Sequence, residues 1–167
     1  MDNRELAVLL TETAALLNDE VEPLTEAAKF NFFPKFVKLK EKYPELAEAD
    51  GILNEGNKIM GEMGEVPTEK QLKKFLKVVL KILKYWLSIS TAVALPFLIT
   101  ILPIIPYTIT RLEVYLAEYG YNALQKSEVK DQMEVMKKVI EKTTDKKQKE
   151  RLQNHFDRLS EIYSKLS

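Results

Sequence analysis

A single histidine, His155, lies near the end of this 167-residue chain, and the chain contains no cysteine. Together those two counts close most routes to catalysis. A carboxylate-bridged di-iron centre in a helical bundle takes a glutamate three positions before its histidine, and that position is Leu152. A zinc site needs a second histidine or a cysteine. Any serine or threonine nucleophile would have His155 as its only base. The carboxylate pairs Asp19 with Glu20 and Glu45 with Glu48 sit in polar helix contexts, with nothing to raise a pKa. No glycine-rich phosphate loop follows a strand. The sequence predicts a non-enzyme with no catalytic residue, metal ligand or cofactor, and no small-molecule substrate is evident.

The lysines carry a stronger signal. In "KQLKKFLKVVLKILKYWLSIST", Lys70 to Thr91, one residue every 100° puts Lys70, Lys73, Lys74, Lys77, Lys81 and Lys84 in one sector about 100° wide. Ser88 and Thr91 continue that sector, and the rest of the helix is almost wholly apolar. A lysine row suits phosphates, but four arginines against 21 lysines leave few bidentate forks for reading bases. No aromatic stacking platform is interleaved with the charge, so nucleic acid is not the expected partner. An anionic leaflet is a better match, each lysine near it being worth about 1 kcal/mol. The stems of Lys73, Lys77, Lys81 and Lys84 would snorkel there, with Tyr85 and Trp86 at headgroup depth.

Directly after the lysines come 26 residues without a charge, Tyr85 to Thr110. A spanning helix needs about 20 mostly apolar residues. Twelve of the 26 are Leu, Ile, Val or Phe, each contributing about −0.3 to −0.6 kcal/mol at the centre of a bilayer. Pro96, Pro103 and Pro106 argue against a straight span, because each removes an amide donor and crowds the preceding turn. A hairpin about Pro96 would have arms of ~20 Å against a ~30 Å hydrocarbon core, which describes a re-entrant wedge. Ser88, Ser90, Thr91, Thr100 and Thr108 are placed to satisfy backbone groups freed by the kinks. On this basis Val93, Phe97, Ile101 and Ile105 are expected to face lipid or a hydrophobic partner.

The remaining sequence supplies the elements that would carry these residues, and all of them read as helix. Asp2 with Glu5 looks like a capping pair before a first helix, about 3–18. Pro23 starts a second that should end near Phe33, ahead of Pro34. Phe30, Phe32, Phe33 and Phe36, mixed with Lys29, Lys35 and Lys38, read as a helix corner plugging a core. Lys35 to Lys42 and the stretch from Pro44 make two short pieces. Gly51, Gly56, Gly61 and Gly64 each weaken a helix by roughly 1 kcal/mol, marking 51–66 as a hinge or broken helix. Thr68 with Gln71 is a capping box, and nothing local breaks the helix it opens until Pro96. Ser127 is a candidate cap for a helix carrying Val129, Met133, Met136 and Ile140. The spacing of Leu152, Phe156, Leu159, Tyr163 and Leu166 then completes an antiparallel hairpin.

The expected fold is an all-α multi-helix bundle with a long central apolar, proline-kinked segment and a C-terminal helical hairpin. It divides into an acidic module (1–50), a glycine-rich hinge (51–66), the lysine helix with the kinked segment (67–125) and the hairpin (126–167). The N-terminus is acidic, with helix-spaced apolar residues, unlike a secretory leader. Two functions compete. One is a membrane-associated or membrane-inserting protein that anchors, wedges or perforates a bilayer within an assembly, as a viral particle component or a holin does. Its lysine-rich end would be cytoplasmic and its partners lipid, another protein or further copies of itself. The alternative is a soluble, cytoplasmic α-helical adaptor or inhibitor whose central apolar helix is buried.

Overall fold

The computed structural model describes residues 32–166. The predicted first helix, and the start of the second, lie outside the described residues. Seven α-helices follow one another: α1 (Phe32–Lys42), α2 (Asp50–Glu62), α3 (Glu69–Ser88), α4 (Thr91–Ile101), α5 (Ile104–Tyr119), α6 (Lys126–Lys142) and α7 (Lys146–Lys165). A 3-10 turn, Pro44–Ala49, joins α1 to α2, and no strand occurs among the described residues. The chain is all-α, arranged as a multi-helix bundle.

Helix α3 organises it. The capping box is present in full: Thr68 Oγ1 accepts from Gln71 N at 3.2 Å, and Gln71 Oε1 accepts from Thr68 N at 3.0 Å. From there Leu72, Phe75, Leu76, Val78, Val79, Ile82, Leu83 and Trp86 are buried against α2, α5 and α6. Full burial of such a side chain stabilises by about 1.5–3 kcal/mol, whereas an exposed ion pair contributes about 0–1 kcal/mol. The apolar sides therefore hold α3 in place, and its lysines do not.

Glycine content misleads at α2, which is an unbroken helix where the sequence predicts a hinge. Tertiary packing supplies the reason. Gly56 is buried against α3, and a Cβ there would lie 3.3 Å from Val78 Cγ1, so the missing side chain lets the two helices approach closely. Gly51 faces open space. Gly51→Ala is expected to raise stability by about 0.5–1 kcal/mol through helix propensity and unfolded-chain entropy. Gly56→Val should lower it by about 1–3 kcal/mol through overpacking. Urea unfolding of the two variants checks both signs.

Three further boundaries differ from expectation. Pro34 lies within α1, so the described helix continues through the proline at which the sequence predicts an end. Gln125, not Ser127, occupies the cap position of α6. The third is the end of α3, which breaks at Ile89 and Ser90, both extended, and not at Pro96, which sits inside α4. Non-local partners at that break are described below.

Helices α4 and α5 bend by 42° at Leu102 and Pro103. Hydroxyls near the prolines bond one turn back, Thr100 to Pro96 O at 3.0 Å, Thr108 to Ile104 O at 2.6 Å and Thr110 to Pro106 O at 3.0 Å. Gly120 ends α5 at φ 88°, the conformation that favours glycine. Helices α6 and α7 form the antiparallel hairpin, with Asp145 Oδ1 accepting from Gln148 N at 3.0 Å to cap the second arm. Leu152, Leu159 and Leu166 are buried along that arm, with Phe156 and Tyr163 half-buried beside them.

Candidate functional site

The lysine row is an outer face of α3. Lys77, Lys81 and Lys84 are exposed, and Lys73 is half-buried. Lys73 Nζ meets Glu69 at 2.8 Å, one turn back, and the hydrogen bond to that carboxylate raises its pKa. Lys81 Nζ lies 3.7 Å from Glu55 of the neighbouring α2. At the far end of the helix, Tyr85 donates its hydroxyl to Glu45 O at 3.2 Å. Burial raises the Tyr85 pKa, with the carboxylates Glu48 and Glu45 adding to the shift. The row thus runs beside carboxylates of α2 and the preceding turn, and its local positive field is partly cancelled.

The uncharged segment is largely core. Val93, Phe97, Ile101 and Ile105, the residues predicted to meet lipid or a partner, are at most 2 % exposed. Phe97 packs against Phe36 of α1 and edge-on to Tyr85 of α3, with ring centroids 5.9 and 5.8 Å apart. Pro106 is buried, and Pro96 and Pro103 are half-buried. Of the phenylalanines read as a helix corner, Phe36 is in the core, and Phe30 lies outside the described residues. No single described helix is long and apolar enough to cross a membrane. Only α4 and α5 taken together reach that length and composition, as a bent pair.

One junction gathers several of these residues. Trp86, expected at an interface, is 1 % exposed and donates Nε1–H to Ala94 O at 2.7 Å, tying α3 to α4. Lys142, at the end of α6, donates Nζ–H to the carbonyls of Trp86, Leu87 and Ile89 at 2.9, 3.1 and 2.8 Å. Its ammonium also stands 4.8 Å from the Trp86 ring centroid. A cation at a helix C-terminus satisfies carbonyls that the broken helix leaves open and complements its dipole. Burial nonetheless lowers the Lys142 pKa. Beside the junction runs a groove of about 220 Å³, lined by Trp86, Ala94, Leu95 and Leu98 on one side and Thr143 to Asp145 on the other. On the outer side of α4, Thr91 and Ala92 are exposed, with Leu95 38 % and Ile99 49 % exposed, and no charge lies among them.

Comparison with known families, curated proteins and solved structures returns no match. The residues that define the junction, Lys142 and Ala94, and the exposed pair Leu95 and Ile99 were not singled out by sequence. Lys142 is one of 21 lysines, and its role depends on a contact 53–56 residues away. A local signal did exist for α4, whose outward face lacks any polar residue larger than threonine.

His155 on α7 is half-buried, and burial, with the Arg158 and Arg151 cations nearby, lowers its pKa from 6.5 to about 4. The folded protein holds the imidazole neutral while the unfolded chain protonates it. This contribution is complete above pH 6.5 and is lost as pH falls towards 4, amounting to about 2–3 kcal/mol. Urea midpoints measured from pH 7 to pH 4.5 should fall more steeply for the parent chain than for His155→Gln.

Proposed function

We propose that this chain is a non-enzymatic helical interaction protein whose apolar middle is its core, working as an adaptor or inhibitor by binding another protein. The observation that carries the proposal is the enclosure of Val93, Phe97, Ile101 and Ile105 by the chain's own helices. A segment already sheltered by α1, α3 and α5 has no solvation cost left to relieve in a bilayer. Further support comes from the lysine row, which lies beside carboxylates and is held outward by a helix whose apolar sides are all occupied.

A membrane-associating protein is the second proposal, favoured by the bent α4–α5 pair and by the exposed Leu95 and Ile99. Flotation with vesicles containing anionic lipid, at low and high salt, separates the two. An interaction protein stays at the bottom of the gradient under both conditions. Cofloating that is lost in a variant with Lys77, Lys81 and Lys84 changed to glutamine, or in Leu95→Glu with Ile99→Glu, would overturn the first proposal in favour of the second. Both sets of substitutions lie on exposed positions, so the fold is expected to survive them.

A further inference from the structure

The groove beside Trp86 has one apolar wall and one basic flank. Its volume of about 220 Å³ falls below the ~300–1,000 Å³ of pockets that enclose a free small molecule, which suits it to side chains projecting from a larger partner. Trp86, Ala94 and Leu98 line it, and the apolar surface continues outward through Leu95 to Ile99, one turn further along α4, at 38 % and 49 % exposure. From Thr91 to Leu98 this wall runs about 10 Å at 1.5 Å per residue. That is room for two apolar side chains one turn apart on a facing helix. The other flank is the turn between α6 and α7. From Lys137 to Lys149 the chain carries six lysines against two carboxylates, Glu141 and Asp145, although its charges balance at 25 each overall. Asp145 is committed to capping α7 at Gln148 N. Lys142 has its ammonium on three carbonyls, which accept its hydrogens without cancelling its charge. Lys138 stands one turn before Lys142 on the same side of α6, and Lys149 one turn beyond Asp145 on α7, both exposed. Lys146 opens α7, whose first turn holds no acidic residue, so a cation lies where the helix dipole favours an anion.

We propose that this groove docks an acidic amphipathic helix of a partner protein, its apolar side chains against Ala94, Leu95 and Leu98 and its carboxylates towards Lys138, Lys146 and Lys149. Charge complementarity selects the acidic partner, because a basic one would set like charges together at the flank. Concavity selects a helix over a bilayer. An amphipathic helix lays its apolar face into a groove as a recurrent mode of recognition, whereas part of the apolar surface here lies recessed between α4 and the α6–α7 turn, where a flat leaflet does not reach. The inference rests on the proposed interaction role and names the surface and the class of partner that serve it.

The probe is a fluorescent synthetic peptide of roughly 14 residues, four helical turns, with leucine at i, i+3, i+4 and i+7 and glutamate on its other faces. In an anisotropy titration with the full chain it should bind about 10-fold more tightly, or better, than twins carrying lysine for glutamate or serine for leucine. Leu95→Glu with Ile99→Glu should weaken that binding by about 10-fold or more, and so should Lys138→Glu with Lys146→Glu and Lys149→Glu. All five positions are exposed, so helical circular dichroism should stay unchanged. A second measurement needs no variant of the chain: a benzophenone in place of one peptide leucine should crosslink to α4 or to the turn at 142–145. Equal affinity for the three peptides, binding that survives both sets of substitutions, or adducts confined to other elements overturns the docking site. Concentration-dependent self-association that Leu95→Glu with Ile99→Glu abolishes would give the face to a second copy and overturn it as well. Vesicle flotation tests the underlying role separately: a chain that stays at the bottom of the gradient yet ignores the peptides has lost this site and kept that role.

Discussion

Phe97→Ala is expected to lower stability by about 3–5 kcal/mol, the range for truncating a fully buried phenylalanine. The ring is 0 % exposed and stands between Phe36 of α1 and Tyr85 of α3. Its removal opens a cavity where the first described helix, the lysine helix and the kinked segment meet. Aromatic pairs of this geometry add about 0.5–1.5 kcal/mol beyond the area they bury, so two partners lose specific contacts with one substitution. The size of the effect also discriminates between functions. A phenylalanine turned towards lipid leaves folding in water little changed when truncated, whereas a core phenylalanine does not. Chemical denaturation of the parent and the variant, without lipid, gives the answer. A loss below about 1 kcal/mol would remove the observation on which the proposed interaction role rests, since typical surface substitutions fall within about 0.5 kcal/mol.

How far the fold can be read from sequence depends on the range of the forces involved. The capping box at Thr68 and Gln71 is complete within four residues, and it is present as read. The hairpin of α6 and α7 follows from apolar residues at helical spacing, Val129, Met133, Met136 and Ile140 on one arm and Leu152, Leu159 and Leu166 on the other. Misreadings occur where a distant residue decides. Three glycines in α2 cost local helix stability, but Gly56 repays part of it by admitting Val78 and Ile82 of α3 to close contact. The kinked segment is uncharged along 26 residues, and composition alone does not distinguish a bilayer from a protein core as its surroundings. That distinction requires the positions of α1, α3 and α5, which local periodicity does not encode. In the candidate site, Trp86 and Tyr85 were conspicuous as aromatics beside lysines, yet their partners Ala94 and Glu45 are ordinary residues defined only by the tertiary fold.

Lys142→Ala is expected to cost about 3–4 kcal/mol, which is far more than an average lysine substitution. Hydrogen bonds from a charged donor contribute about 1.5–3 kcal/mol each, and an acceptor left unsatisfied in a buried site costs about 1–3 kcal/mol. The carbonyls of Trp86, Leu87 and Ile89 all lose the ammonium, Trp86 O keeping only the long bond from Ile89 N at 3.4 Å, though water entering the adjacent groove restores part of the loss. Burial, which lowers the Lys142 pKa, opposes the gain and keeps the net figure below the sum of the three bonds. The break at Ser90 is where this cost appears. Without the ammonium, the last turn of α3 has local incentive to continue into Ile89 and Ser90, and Trp86 loses its cation as well as the alignment of its bond to Ala94 O. Trp86 is the only tryptophan, so its emission reports the junction directly and should shift to longer wavelength as water reaches the ring. Lys142→Arg should keep most of the stability, because the guanidinium still donates to several carbonyls. Equal losses for alanine and arginine would mean that packing of the lysine stem, and not its three hydrogen bonds, holds α3 and α4 at their angle.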